Sequence, residues 1–414
     1  MNRRPDANLS VGLDLGTAKV AVVVGDVGAD GHVRVVGHGA APSKGIKKGV
    51  VVNIDATTKS IQAAVQEANE MASCTVQAVH ASITGSHLAS QNSQGIVPVA
   101  KPHREVTPKD VERVISSASA VAISADQQVL HVLPQEYILD DQDGITEPAG
   151  MSGVRLEARI HMVTASKSAT QNLHKCISHC GLSANRIVLQ SLAAAYAVLN
   201  EDERELGVVL LDIGGGTTDV AVFQHGSIRH SGVIPIGGDH ITNDIAVAMR
   251  APFKSAEAIK VKHACAVPEL LDGEEDTVQV EDVGDRPARQ VSRHMLTEVV
   301  RARVDEIFRL ALRKVREGGF DHPLPAGGVV LTGGSAKLPG ICLLAEEIFE
   351  RPARVGLPLN VSGLEEVTKD PAYATAIGLL RFGKQAGLPS PAPGGGASLA
   401  SRWEQFKSWL QRNF

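Results

Sequence analysis

An aspartate followed by a Gly/Thr turn, set between two apolar strands, occurs twice in this chain. The first copy is Val11-Gly12-Leu13-Asp14-Leu15-Gly16-Thr17-Ala18-Lys19-Val20. The second is Val209-Leu210-Leu211-Asp212-Ile213-Gly214-Gly215-Gly216-Thr217-Thr218-Asp219-Val220. Such a bend turns backbone N–H groups outward as a nest that suits an anion. Glycine lets phosphate oxygens reach the main chain, threonine adds hydroxyl donors, and an aspartate at the strand end can hold a hydrated Mg²⁺. Two such hairpins face to face would clamp a polyphosphate from both sides. Taken singly, either copy also reads as a plain hairpin turn, and neither matches the lysine-containing Walker loop.

Two further pieces point the same way. In Val329 to Gly340 a strand ends in Gly333-Gly334-Ser335 and leads into a helix expected from about Pro339, whose N-terminus would suit a phosphate or the plane of a base. In Ala256-Glu257-Ala258-Ile259-Lys260 the charged pair lies three apart on one helical face, where a surface ion pair is the plain reading.

The elements that must position these residues follow an α/β pattern. Val11 to Val24 and Val33 to Gly37 read as strands. Helices are expected over Ile61 to Met71 with Thr57-Thr58 as cap, after Thr107-Pro108-Lys109-Asp110, over Ser166 to Cys180, and from Asp370-Pro371 to about Ala386. Asp272 to Gln290, acidic and then rich in Gly, Pro and Arg, reads as an exposed loop region. Leu388 to Ala397 is a Pro/Gly linker.

Beyond the linker, Leu399, Trp403, Phe406, Trp409, Leu410 and Phe414 recur at helical steps, with Arg402, Lys407 and Arg412 on the other sides. This is the composition of a helix lying in an anionic membrane surface, with docking into a partner's groove as the alternative. One such foot would bind weakly, and joining many in a filament would raise avidity.

Composition sets the outer bounds. The 414 residues are 43% apolar with a net charge of −5, so the chain has core for two or three packing units and no bias toward nucleic acid. No apolar run is long enough to span a bilayer, and no signal-peptide core follows the polar start. The five cysteines are expected to be reduced, buried thiols. His174-Lys175-Cys176-Ile177-Ser178-His179-Cys180 invites a zinc reading, but the two Cys fall on the apolar helix face and no second ligand cluster exists, so buried thiols are expected. Asp140 to Gly144 reads as a hairpin turn, not a calcium loop.

In order, the two hairpins, the Glu-x-x-Lys helix and the Gly-Gly-Ser turn resemble the actin/Hsp70/sugar-kinase ATPase superfamily. More narrowly, nearly the whole chain resembles the FtsA family of bacterial cell-division proteins. The supporting stretches are Lys44 to Val51, Ile83 to His87, Gly150 to Glu157, Leu206 to Val222, Ile234 to Ile245, and the tail.

The resemblance implies an α/β, actin-like two-lobed ATPase fold with ATP and Mg²⁺ in the cleft, an inserted 1C subdomain and a C-terminal amphipathic helix. The implied division is 1–85, 164–195 and 360–387 for subdomain 1A and 86–163 for 1C. It continues with 196–240 and 318–359 for 2A, 241–317 for 2B, 388–397 for the linker and 398–414 for the membrane-targeting helix. Carried over by position, Asp14, Gly16, Thr17 and Lys19 form the first phosphate loop, and Asp212, Gly214, Gly215, Gly216, Thr217 and Thr218 the second. Gly237 and Gly238 match the following glycine pair, Glu257 and Lys260 the ribose contacts, and Gly333, Gly334 and Ser335 the adenosine turn. Asp14 and Asp212 would hold Mg²⁺ through water. Gln190, where the superfamily places a Gln or Glu that orients water, and Asp212 are the candidate catalytic residues, with a helix-capping glutamine as the alternative. Any ATP hydrolysis is expected to be slow.

The same resemblance implies a peripheral protein at the cytoplasmic face of the inner membrane, at the division septum. There it would polymerise with itself, bind the C-terminal tail of FtsZ, and recruit later division proteins through 1C. Trp403, Phe406, Trp409, Leu410 and Phe414 would enter the membrane. Arg286, Arg289, Arg293, Arg301 and Arg303 flank the acidic loop; a solvated face is their plain reading, and Arg293 is the candidate FtsZ contact. The alternative function is a kinase or chaperone-type ATPase of the same fold acting on a soluble substrate.

Overall fold

The computed structural model describes residues 9–99, 104–271, 276–282, 287–320 and 324–382. Three sheets organise them. A six-stranded sheet runs in the spatial order Ser183–Leu189, Ala78–Ile83, Leu9–Leu15, Lys19–Val27, Val33–Pro42, Val361–Ser362. A five-stranded sheet runs Ser227–Ile234, Thr218–Gln224, Val208–Ile213, Val329–Thr332, Ala353–Val355. In each, the first hairpin strand pairs antiparallel with its hairpin partner on one side and parallel with a later strand on the other. The repeat seen as two short motifs is therefore a repeat of whole sheets. Each aspartate stands near the carboxyl end of a central strand, where open α/β sheets present their ligands.

The expected strand Val11 to Val24 is in fact this hairpin, with its turn at Gly16, Thr17 and Ala18. The next strand runs five residues past Gly37, to Pro42. The helix Ile54–Ala72 packs onto it so closely that a Cβ on Gly39 would stand 2.1 Å from the Ala64 carbonyl oxygen. Glycine here marks close backbone approach, not the strand's end. That helix begins before the expected Thr57-Thr58 cap. Asn53 is extended and its side chain accepts from the Ala56 N–H at 2.9 Å, while Thr57 turns its hydroxyl inward to the Asn53 carbonyl at 2.8 Å. The helix Pro108–Ser119 has the anticipated start, with a full capping box between Thr107 and Asp110.

The third sheet has four strands in the order Leu88–Pro98, Arg155–Ser166, Gln127–Leu139, Gln142–Ile145. It is inserted between the strand Ala78–Ile83 and the helix Lys167–His179. Its edge strand Leu88–Pro98 lies beside the edge strand Ser227–Ile234 of the five-stranded sheet, and side chains bridge the two. Ser90 Oγ donates to the Ser231 carbonyl at 2.6 Å, and Asn92 Nδ2 to the Arg229 carbonyl at 2.9 Å. His161 contacts Asn92 Oδ1 at 2.7 Å and Ser231 Oγ at 2.8 Å. Burial pushes the His161 imidazole down to about 3, so it sits neutral in this seam.

Asp272 to Gln290 is not wholly a loop. Thr277–Val280 pairs antiparallel with Arg289–Ser292, burying Val278, Val280 and Val291 against the 25-residue helix Arg293–Glu317. The helix expected from Pro339 starts at Ile341, after a 3₁₀ turn over Gly334–Lys337 and a left-handed Gly340. The segment from Asp370 opens as a 3₁₀ turn, Pro371–Tyr373, and continues as the helix Ala374–Phe382. Cys176 is buried and Cys180 half-buried, with their sulfurs near backbone carbonyls. Among the described residues no group of three or more His, Cys, Asp or Glu side chains could hold a metal, and no helix is long and apolar enough to cross a membrane. The linker and the tail carrying Trp403, Phe406, Trp409, Leu410 and Phe414 lie outside the described residues.

Forcing a methyl group into the Gly39 contact must part helix from strand. Gly39→Ala should cost about 1–3 kcal/mol in urea denaturation, as overpacking does elsewhere; an unchanged midpoint would contradict the close approach.

Candidate functional site

The two hairpin turns meet. A Cβ on Gly216 would stand 2.5 Å from Thr17 Oγ1, and one on Gly215 would stand 2.8 Å from the Ala18 Cβ. The third glycine of the run thus brings one lobe's turn onto the other's. The second turn is braced from behind, where the Gly214 carbonyl accepts from the Gly238 N–H at 2.9 Å and the Gly215 carbonyl from the Asp239 N–H at 2.8 Å. A Cβ on Gly237 would collide with the same carbonyls. Thr218 is fully buried and donates to the Ile236 carbonyl at 2.8 Å. Gly216, Thr218 and Gly237 therefore shape the site from behind and do not line it, unlike the other positions expected around a bound phosphate chain.

Between the turns opens a cavity of about 340 Å³. Asp14, Gly16, Thr17 and Lys19 line it from the first hairpin, and Asp212, Gly214, Gly215 and Thr217 from the second. Gln190, Gly238, Glu257, Lys260, Gly333, Gly334 and Ser335 complete the expected set on its wall. The helix N-terminus at Ile341 is not on that wall, so the Gly-Gly-Ser turn reaches the cavity through its own 3₁₀ turn. Glu257 and Lys260 form a 2.7 Å ion pair, and the Lys260 ammonium also donates to the Gly238 carbonyl at 3.1 Å, so the pair is built into the wall.

Electrostatics concentrate on three buried carboxylates. Burial pushes Asp14 up to about 6, helped by the Asp212 charge and opposed by the hydrogen bond from Ser82 Oγ at 2.8 Å. Asp212 is also raised by burial, although it accepts from Gln190 Nε2 and from Thr375 Oγ1, each at 3.0 Å. Asp219 is raised well above the usual range by burial and by Asp212, and Thr84 Oγ1 donates to it at 2.8 Å across the lobes. Gln190 spends its amide N–H on Asp212. Its Oε1 is buried on the cavity wall, without a partner among the described residues. Grouped negative charge beside backbone amides and a lysine suits a polyphosphate with its counter-cation.

Several residues on or behind the cavity wall escaped the sequence reading. Ser82 and Thr84 end the strand beside the first hairpin; Asp219 stood in the second motif without a role. Lys337, Asp370, Tyr373 and Thr375 come from short turns and a helix start with no periodic signature. Arg293 does not line the cavity. It binds Asp276 at 2.7 Å and the His263 carbonyl at 3.0 Å, joining the small ribbon to the end of the helix Phe253–His263. Arg301 and Arg303 likewise pair with Glu347 and Asp244.

A family model described as "Cell division protein FtsA" matches residues 209–378, and one described as "SHS2 domain inserted in FTSA" matches 85–164. The chain is similar to the cell division protein FtsA of Pseudomonas aeruginosa, 51% identical over 98% of both chains. It is 42% identical to FtsA of Escherichia coli K12 over the full length of both. Among solved structures, the PilM-PilN type IV pilus biogenesis complex aligns with a TM-score of 0.64 at 16% identity, covering 90% of this chain and 98% of that one. MreB5 of Spiroplasma citri bound to ADP aligns at 0.55 and 17% identity, covering 90% and 95%. The fold is the actin-like ATPase fold with an inserted SHS2 domain.

The Asp14 shift has a pH signature. A carboxyl raised from 3.8 to about 6 on folding favours the folded state below pH 4 and loses that benefit as pH rises through 6. Asp14→Asn escapes this cost. With no ligand added, the variant should be more stable than the parent at pH 7.5, by about 3 kcal/mol. The gain should vanish as pH falls from 6 to 4, read by urea midpoints at each pH; a pH-independent difference would refute the buried-charge account.

Proposed function

The chain belongs to the FtsA family of cell-division proteins, and from that premise we propose that it binds ATP between its lobes and polymerises on the cytoplasmic face of the inner membrane. There it tethers the FtsZ ring and recruits later division proteins through the inserted domain. One observation carries the nucleotide reading: both glycine hairpins, two aspartates and an unpaired glutamine oxygen converge on one cavity.

In this reading Gly16, Thr17, Lys19, Gly214, Gly215 and Thr217 hold the phosphate chain, Glu257 and Lys260 the ribose, and Gly333, Gly334 and Ser335 the adenine side. Gly216, Thr218, Gly237 and Gly238 keep the second turn in shape. Asp14 and Asp212 would hold a hydrated Mg²⁺, whose charge would neutralise phosphate oxygens and offset the burial that raises both carboxyls. Gln190 Oε1 accepts a hydrogen bond from a water while its amide holds Asp212, positioning that water without acting as a base. Slow turnover fits an assembly switch.

The tail from 398 to 414 supplies the membrane foot, its aromatic stripe entering the lipid interface beside Arg402, Lys407 and Arg412. Weak single feet become firm in a filament, so polymerisation and membrane binding reinforce each other. For the acidic tail of FtsZ, the half-buried Arg293 is the proposed contact, with the incoming carboxylate competing against Asp276.

Liposomes containing anionic lipid should pellet the intact chain, more so with ATP and Mg²⁺, and should leave a chain ending at Pro389 in the supernatant. Equal pelleting of both would sink the membrane foot. Separately, Gln190→Ala should slow phosphate release about tenfold or more with ATP affinity nearly unchanged; an unaltered rate would remove Gln190 from the chemistry.

A further inference from the structure

The lysines around the cavity are held differently. Lys260 is paired with Glu257 at 2.7 Å and Lys337 with Asp370 at 2.9 Å. The Lys19 ammonium makes no ion pair and no hydrogen bond among the described residues, although the Asp14 and Asp370 charges act on it from nearby; it sits 3.3 Å from the centroid of the Tyr373 ring. That is well inside the range in which an aromatic face attracts a cation. The ring is itself fixed. It meets His38 edge-on with centroids 5.8 Å apart, and His38 Nε2 contacts Glu366 at 2.9 Å.

The turn that carries Tyr373 is also tied to the other lobe. The Pro371 carbonyl accepts from the Gly333 N–H at 3.2 Å and from Thr332 Oγ1 at 3.3 Å. Tyr373 therefore rests on the Gly-Gly-Ser turn of one lobe while holding the lysine of the other lobe's hairpin.

We infer that Tyr373 is the positioning residue for Lys19, holding its ammonium on the cavity wall with its N–H groups free for a phosphate oxygen. The inference rests on the nucleotide reading above. A carboxylate partner would have to be displaced before Lys19 could grip a phosphate. An aromatic face takes the charge through its quadrupole and occupies no acceptor lone pair, so ring and phosphate can hold the ammonium from opposite sides. The residue acts through Lys19 and needs no contact with nucleotide.

Calorimetry with Mg-ATP and with adenosine, which has no phosphate, tests this on the full chain. Tyr373→Leu should weaken ATP binding about 3- to 30-fold, leave adenosine binding unchanged, and have no further effect in a Lys19→Ala background. Tyr373→Phe should retain parental affinity. Without nucleotide, the Lys19 ε-methylene protons should be shifted upfield by the ring in ¹H–¹³C spectra and lose that shift in Tyr373→Leu. Equal weakening of ATP and adenosine, or a Leu variant that binds ATP like the parent, would overturn the role of Tyr373. No ATP uptake by the unaltered chain would instead overturn the nucleotide reading, with the ring-current shift still reporting the Lys19–Tyr373 pair.

Discussion

The close approach of two glycine turns governs this molecule. Gly216 lies against Thr17 and Gly215 against Ala18 with no room for a side chain, so the lobes meet at backbone separation. Two sheets of matching topology, each with an aspartate as the penultimate residue of its central strand, can then share one cavity. Most of the fold serves this contact. The helix Gly238–Ala248 braces the second turn by its first N–H groups, and Thr17 Oγ1 accepts from the Gly49 N–H at 3.2 Å to hold the first.

The contact also creates an electrostatic problem. Asp14, Asp212 and Asp219 are buried together; burial raises the proton affinity of all three, and the Asp212 charge raises that of the other two further. Ser82, Thr84, Gln190 and Thr375 each spend a donor on one of them, which offsets part of the cost of burial. A site strained in this way gains from positive charge, and its own lysine at position 19 acts on Asp14 only from a distance, with no ion pair among the described residues. Stability and ligand affinity are thus drawn from the same carboxylates.

How much of this could be read from the sequence depended on whether a residue's role was local. Asp14, Gly16, Asp212, Gly214 and the Gly333-Gly334-Ser335 turn announce themselves because strand, turn and glycine lie in one short stretch, and all of them reach the cavity. Gly216 and Gly237 carry the same signature, yet Gly216 packs on the Thr17 side chain and Gly237 on the Gly214 and Gly215 carbonyls, a distinction only tertiary contact reveals. Gly37 looked like the end of a strand, yet a Cβ there would stand 2.7 Å from the Ala72 Cβ of the packed helix: a strand glycine and a helix-docking glycine are the same letter. Val278, Val280 and Val291 form so short an alternation that the charged residues around them hid a ribbon. Tyr373 and Lys337 sit on single 3₁₀ turns, for which three or four residues give no period.

The seam between the inserted sheet and the second lobe joins two strand edges through Ser90, Asn92 and His161, where a backbone ladder would have been the obvious joint. Ladders part cooperatively, whereas a row of separate side-chain clasps can be released, shortened or re-formed one at a time. The insert is therefore fastened to its neighbour in the manner of a laced joint, able to take up small relative slippage without tearing either sheet. A module fastened this way can also be exchanged over evolution by altering three or four letters at the lacing, leaving both sheets as they were.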